Sequence, residues 1–177
     1  FSEAMTSNPT ISISGTSISN QEMSKIFDWV QLGADINGEW ASDESGRNSV
    51  SLSSDGLRVA VGAYINDNDN GLNSGHVRIY DYNTSTEVWA QVGADIDGEA
   101  RNDYSGWSVS LSSDGSRVAI GAYRNSVNGN DSGHVRIYDY NTSTEAWAQV
   151  GADIDGEAAN DYSGWSVSLS SDGSRVA

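Results

Sequence analysis

Large and small residues alternate through Trp107-Ser108-Val109-Ser110-Leu111, and Ser112-Ser113-Asp114-Gly115 then supplies turn chemistry. A β-rich run from Ser116 to Tyr123 follows, so the stretch predicts a hairpin. After a loop of Asn, Ser, Gly and Asp at 124–132, Gly133 to Tyr140 alternates at period two. Asn141-Thr142-Ser143-Thr144 reads as a turn, and Glu145 to Val150, holding Trp147, predicts a fourth strand. Almost no helical period interrupts this, and the chain has a single proline.

The pattern is copied. Residues 91–119 return at 149–177 with Arg101 exchanged for Ala159 as the only change, and residues 74–93 return at 132–151 with Val88 exchanged for Ala146. A looser copy begins at Trp29. Repeats of this size are stacked supersecondary units that bury little apolar surface alone. Tryptophan and tyrosine on both strand faces imply cover from both sides, whereas a solvated sheet alternates apolar with charged residues. The expected fold is all-β, with β-propeller blades of four antiparallel strands in a repeat of about 58–60 residues. Repeats are expected over 29–92, 93–150 and 151–177, preceded by a non-repeating segment, 1–28. The third unit halts at Arg175-Val176-Ala177, before the strand its own pattern demands, so an incomplete propeller, part of a longer protein, is expected. Uncovered blade ends would favour self-association, by covering each other or exchanging strands.

Twenty-five acidic against nine basic residues give a net charge of −16, which disfavours nucleic acid and anionic membranes because both require clustered Lys and Arg. No apolar run is long enough to predict membrane insertion. The balance suits a soluble surface in salty water or one that holds divalent cations. The absence of cysteine excludes disulfides, thiol catalysis and thiolate metal sites.

The run SGWSVSLSSDGSRVAIGAY followed by SGHVRIYDY resembles the FG-GAP repeat of integrin α-subunit propellers and related microbial surface proteins. Gly106-Trp107 stands where the family has Phe-Gly, and Gly121-Ala122-Tyr123 and Gly62-Ala63-Tyr64 stand where it has Gly-Ala-Pro. The resemblance spans about residues 29–177 and implies an extracellular or cell-surface adhesion propeller. It also implies calcium in the first hairpin, on a run like Asp-x-Asn-x-Asp-Gly. In Ser110 to Gly115 only Asp114 survives from that run, so the family's metal does not carry over to this turn. Residues 1–22 resemble strands of bacterial Ig-like domains, and Ile11-Ser12-Ile13-Ser14 equally suits a simple edge strand.

Candidate chemistry gathers between units. Asp95, Asp97, Glu99 and Asp103 recur as Asp153, Asp155, Glu157 and Asp161, with a looser set at Asp35, Asn37, Glu39 and Asp43. Alternate acids around Gly98 offer a calcium cradle, and the alternative is Asx turns on a solvated rim. A full calcium loop would want an acid where Tyr104 stands. The loop Ile65 to Asn73 diverges most from its counterpart, so Asn66, Asp67, Asn68, Asp69 and Asn70 are the candidate recognition loop for a protein or glycan. His76 and His134 read as repeated lattice positions, because no nucleophile or HExxH pattern accompanies them. Recurrent arginines, such as Arg58 and Arg117, suit cross-strand charge pairs, and Trp107 and Trp165 suit interblade packing or a sugar face. The expected function is a non-catalytic binding or adhesion module. The alternatives are a polysaccharide-acting enzyme using rim acids such as Asp95 and Asp97, and a passive filament repeat.

Overall fold

A computed structural model describes residues 30–177 and two short strands before them, β1 (Ile11–Ile13) and β2 (Thr16–Ile18). The chain divides into two compact units, residues 1–32 and 33–177. In the first, β1 and β2 pair antiparallel, with Ile11 opposite Ile18. The other residues up to Trp29, and with them the Ig-like comparison, lie outside the described residues.

The second unit is all-β and holds two five-stranded antiparallel sheets, the blades of an incomplete propeller. Blade 1 comprises β3 (Val50–Leu52), β4 (Arg58–Ala63), β5 (His76–Asn83), β6 (Val88–Gln91) and β7 (Ile96–Asp97). Blade 2 repeats it as β8 (Ser108–Leu111), β9 (Arg117–Ala122), β10 (His134–Asn141), β11 (Ala146–Gln149) and β12 (Ile154–Asp155). The four strands expected from the pattern form at the expected places, and β7 and β12 are additions. Because β11 covers only Tyr138 to Asn141 of β10, the other half of that edge stays open for β12, which sets Asp155 opposite His134 and Ile154 opposite Val135. Blade 1 does the same, with Asp97 opposite His76. Two-residue strands carry no periodic signal, which is why the sequence reading placed these residues in a link.

The hydrophobic cluster joins the blades: Ala60, Val77 and Ile79 of blade 1 meet Val109, Leu111, Val118, Ile120 and Tyr138 of blade 2, with Ile96 from the link between them. Burying a side chain such as Ile79 or Ile120, each 1% exposed, stabilises the fold by roughly 2 kcal/mol. Cover by a neighbour is visible in equivalent positions: Val109 and Leu111 are 9% and 7% exposed, but Val50 and Leu52 in blade 1 are 55% and 57% exposed.

Close stacking is enforced at two glycines. A Cβ on Gly62 would meet the Gly106 carbonyl oxygen at 2.0 Å, and one on Gly121 would meet that of Gly164 at 2.1 Å. Bonds repeat from unit to unit: Ser54 N donates to Ser113 O, Ser113 N to Ser171 O, Leu111 N to Ser51 Oγ and Leu169 N to Ser110 Oγ. An aromatic ladder crosses the same boundaries, with Trp107 set between Tyr64 and Tyr123 and against Trp165 at ring separations of 4.6–5.0 Å. Arg58 and Arg117 clamp Asp81 and Asp139 across strands, while their Nη1 atoms donate to Gly115 O and Gly173 O of the next unit. One arginine thus serves strand pairing and blade stacking.

Candidate functional site

Each central strand, β5 or β10, opens with a buried histidine, and acids of the two flanking links converge on it. In blade 2 the His134 Nδ1 lies 3.5 Å from Asp153 Oδ2, 3.9 Å from Asp155 Oδ1 and 4.0 Å from Glu99 Oε2. In blade 1 the His76 Nδ1 lies 3.7 Å from Asp95 Oδ2 and 3.9 Å from Glu39 Oε2. One acid comes from the link before the blade and one from the link after it, so each cluster spans two links. Both histidines are at most 3% exposed. Burial pushes the His134 pKa down to about 4, assisted by the Arg136 charge and opposed by Asp153 and Asp155. It lowers that of His76 as well.

The acids expected to form one cradle within a link therefore separate. Asp95 faces His76, whereas Glu99 of the same link faces His134. Asp97 accepts from Asn68 Nδ2 at 3.1 Å, and burial, together with the Asp95 charge, raises its pKa. Asp103, 4% exposed, closes a rim turn by accepting from Ala100 N and Asn125 Nδ2, and burial raises its pKa too. Asp161 closes the equivalent turn at Ala158 N, and Glu157 is exposed. In the first hairpin Asp114 accepts from the Ser112 and Ser116 hydroxyls and from Ser116 N, which holds its carboxyl below the usual range. That lone, fully engaged carboxylate does not fit a calcium ion, which takes six to eight oxygens.

Arginines distinguish the clusters. Arg78 grips Asp95 through Nε at 3.0 Å and Nη2 at 2.8 Å, and its Nη2 also meets Glu39. Burial works to lower the Arg78 pKa, but the hydrogen bonds to Asp95 and Glu39 raise it. Arg136 instead meets Glu99 Oε1 at 3.2 Å and donates to Asp97 O at 2.9 Å, leaving its own Nε without a partner. His134 Nδ1 and Asp155 Oδ1 are also buried without partners.

The recognition loop divides as well. Asn66 is 1% exposed and donates to Asp43 and Glu39, so it is part of the frame. Asn68 is tied by its amide to Ser74, Gly75 and Asp97, and Asn70 donates to Gly98 O. Asp67 and Asp69 are exposed. Asp67, with Ile65 and Asn73, lines a cleft of about 340 Å³ whose other wall is Trp40 to Asp43. Trp40 is 75% exposed and stands where the later copies have Ala100 and Ala158.

The link before blade 2, its strands β8 and β9 and the first half of β10 match a family model: residues 94–138 fit the FG-GAP repeat. This stretch is an FG-GAP repeat. Its FG-GAP boundaries take in Asp95, Asp97, Glu99, Asp103 and His134, and residues 152–177 repeat the first part of it with one substitution. Among solved structures the chain is similar to the Kuenenia stuttgartiensis hydrazine synthase, at 14% identity and a TM-score of 0.40, over 72% of this chain and 28% of that one. The chain thus spans about a quarter of the length of that relative. No curated protein matches the chain in sequence.

Sequence reading missed that the two histidines sit at the centre of carboxylate clusters. The available signal was co-repetition: His76 and Asp95 return together 58 residues later as His134 and Asp153.

Proposed function

We propose that this FG-GAP propeller fragment is a non-catalytic recognition module of an extracellular or cell-surface protein, and that its ligand is a glycan held at the first rim cleft. The observation that carries this reading is the exposed Trp40 indole facing Asp67 and Asn73 across an open cleft, on a frame whose copies otherwise coincide. An exposed ring offers a face for sugar C–H groups, while neighbouring carboxylate and amide groups take hydroxyls. Loops on a rigid sheet are where such specificity resides. The net charge of −16 favours neutral over anionic sugars. Exposed Val50, Leu52 and Trp165 give the module surfaces for self-association.

Affinity electrophoresis in gels cast with neutral polysaccharides tests the proposal. Retardation that Trp40→Ala abolishes is expected, with no turnover of the polysaccharide. Release of reducing ends would favour the rival enzyme, and migration unaffected by any polysaccharide would refute the glycan assignment.

A further inference from the structure

The second histidine cluster carries a prediction that the rim cleft does not. Potential ligand atoms from two links converge there: Glu99, His134 and Asp153 each bring one within 4.8 Å of the others, and Asp155 Oδ1 lies 3.9 Å from His134 Nδ1. Two of them, His134 Nδ1 and Asp155 Oδ1, are buried and make no hydrogen bond, and His134 is only 1% exposed. Buried polar atoms normally find partners, so two facing each other across 3.9 Å point to a missing occupant.

Outer contacts already orient the ligands. Glu99 uses Oε1 for Arg136 and turns Oε2 towards the histidine. Asp153 uses Oδ1 for Gln149 Nε2 at 2.6 Å and turns Oδ2 the same way. Metal-binding carboxylates are characteristically held by such second contacts. Three carboxylates and one guanidinium around a neutral imidazole leave two negative charges, which a divalent cation balances.

We infer that Glu99, His134, Asp153 and Asp155 bind a divalent transition-metal ion of zinc's class, stapling the link before blade 2 to the link after it. Ligand atoms around tetrahedral zinc are about 3.4 Å apart, so the ion would draw in carboxylates that now lie 3.5–4.0 Å from His134 Nδ1. Imidazole suits zinc, whereas calcium prefers an all-oxygen shell. The first cluster lacks this vacancy. There the Arg78 guanidinium lies against both Asp95 and Glu39, and Asn68 donates to Asp97 Oδ1, the counterpart of the unpartnered Asp155 Oδ1, so the carboxylates are already engaged.

The test is calorimetric titration of the full chain with zinc chloride after chelator treatment, alongside calcium and magnesium. One zinc per chain is expected, weakened about 10- to 100-fold by Glu99→Gln, Asp153→Asn or Asp155→Asn, three partly exposed positions, and unaffected by Glu87→Gln in a remote turn. Cobalt(II) should give a tetrahedral visible spectrum that His134→Asn removes. Absence of zinc binding, binding indifferent to all three carboxylate changes, or stronger binding of calcium than of zinc would each overturn the assignment.

Discussion

Blades 1 and 2 share nearly every backbone contact, yet their histidine clusters are finished differently. In blade 1 an arginine bridges the two acids, and an asparagine from a loop one residue longer occupies the third. In blade 2 the shorter loop supplies no such asparagine and the arginine turns to the preceding link, so acceptors and imidazole face each other unpaired. Near identity of sequence has kept the frame constant, while one loop residue and one arginine rotamer decide whether the same four positions make a closed ion-pair network or an open ligand set.

The largest expected effect tests whether the frames are equivalent. Gly62→Ala and Gly121→Ala each drive a methyl into a neighbouring carbonyl, and each should cost roughly 3 kcal/mol or more in urea unfolding. Unequal costs would mean that the two blade boundaries are not the same structure.

Acid tests the burial of His134. The folded pKa of His134, about 4, lies below its ordinary value, so the unfolded chain takes the proton first. The contribution of neutral His134 is therefore complete above about pH 6.5 and is lost as pH falls towards 4, by roughly 3 kcal/mol. Glu99, Asp153, Asp155 and Arg136 surround it, and the raised pKa values of Asp97 and Asp103 act in the opposite direction. Comparing pH-dependent unfolding of the wild type with His134→Asn in metal-free buffer isolates the term: the variant should lack that slope.

Next, Arg78→Met should cost about 2 kcal/mol in urea unfolding, because it removes the cation shared by two partly buried carboxylates. Arg136→Met, which removes fewer bonds, should cost about half as much. Asn68→Ala should have an effect of that same size, about 1 kcal/mol in the same measurement, from the loss of its bonds to Ser74, Gly75 and Asp97.

Much of the fold was legible because strand alternation and copied turns are local signals. Trp107-Ser108-Val109-Ser110-Leu111 contains a strand with alternating burial, and Ser112 to Gly115 closes the hairpin through Asp114. The cluster was only half legible. Its acids stand out in the link, but which acid meets which histidine depends on β7 and β12, two-residue strands that return to the open half of the central strand. Splitting Asp95 from Glu99 is a consequence of that return and of blade stacking, neither of which has a local periodicity. Asn66 looked like a rim ligand because it lies in a polar run, and its burial against Asp43 follows from tertiary closure of the loop.

Anomalous diffraction at the zinc edge, from crystals grown with the metal, tests the difference between the blades most directly. The account predicts one peak, enclosed by Glu99, His134, Asp153 and Asp155, and no density beside His76. Equal peaks in both clusters, or a peak beside His76 alone, would contradict it.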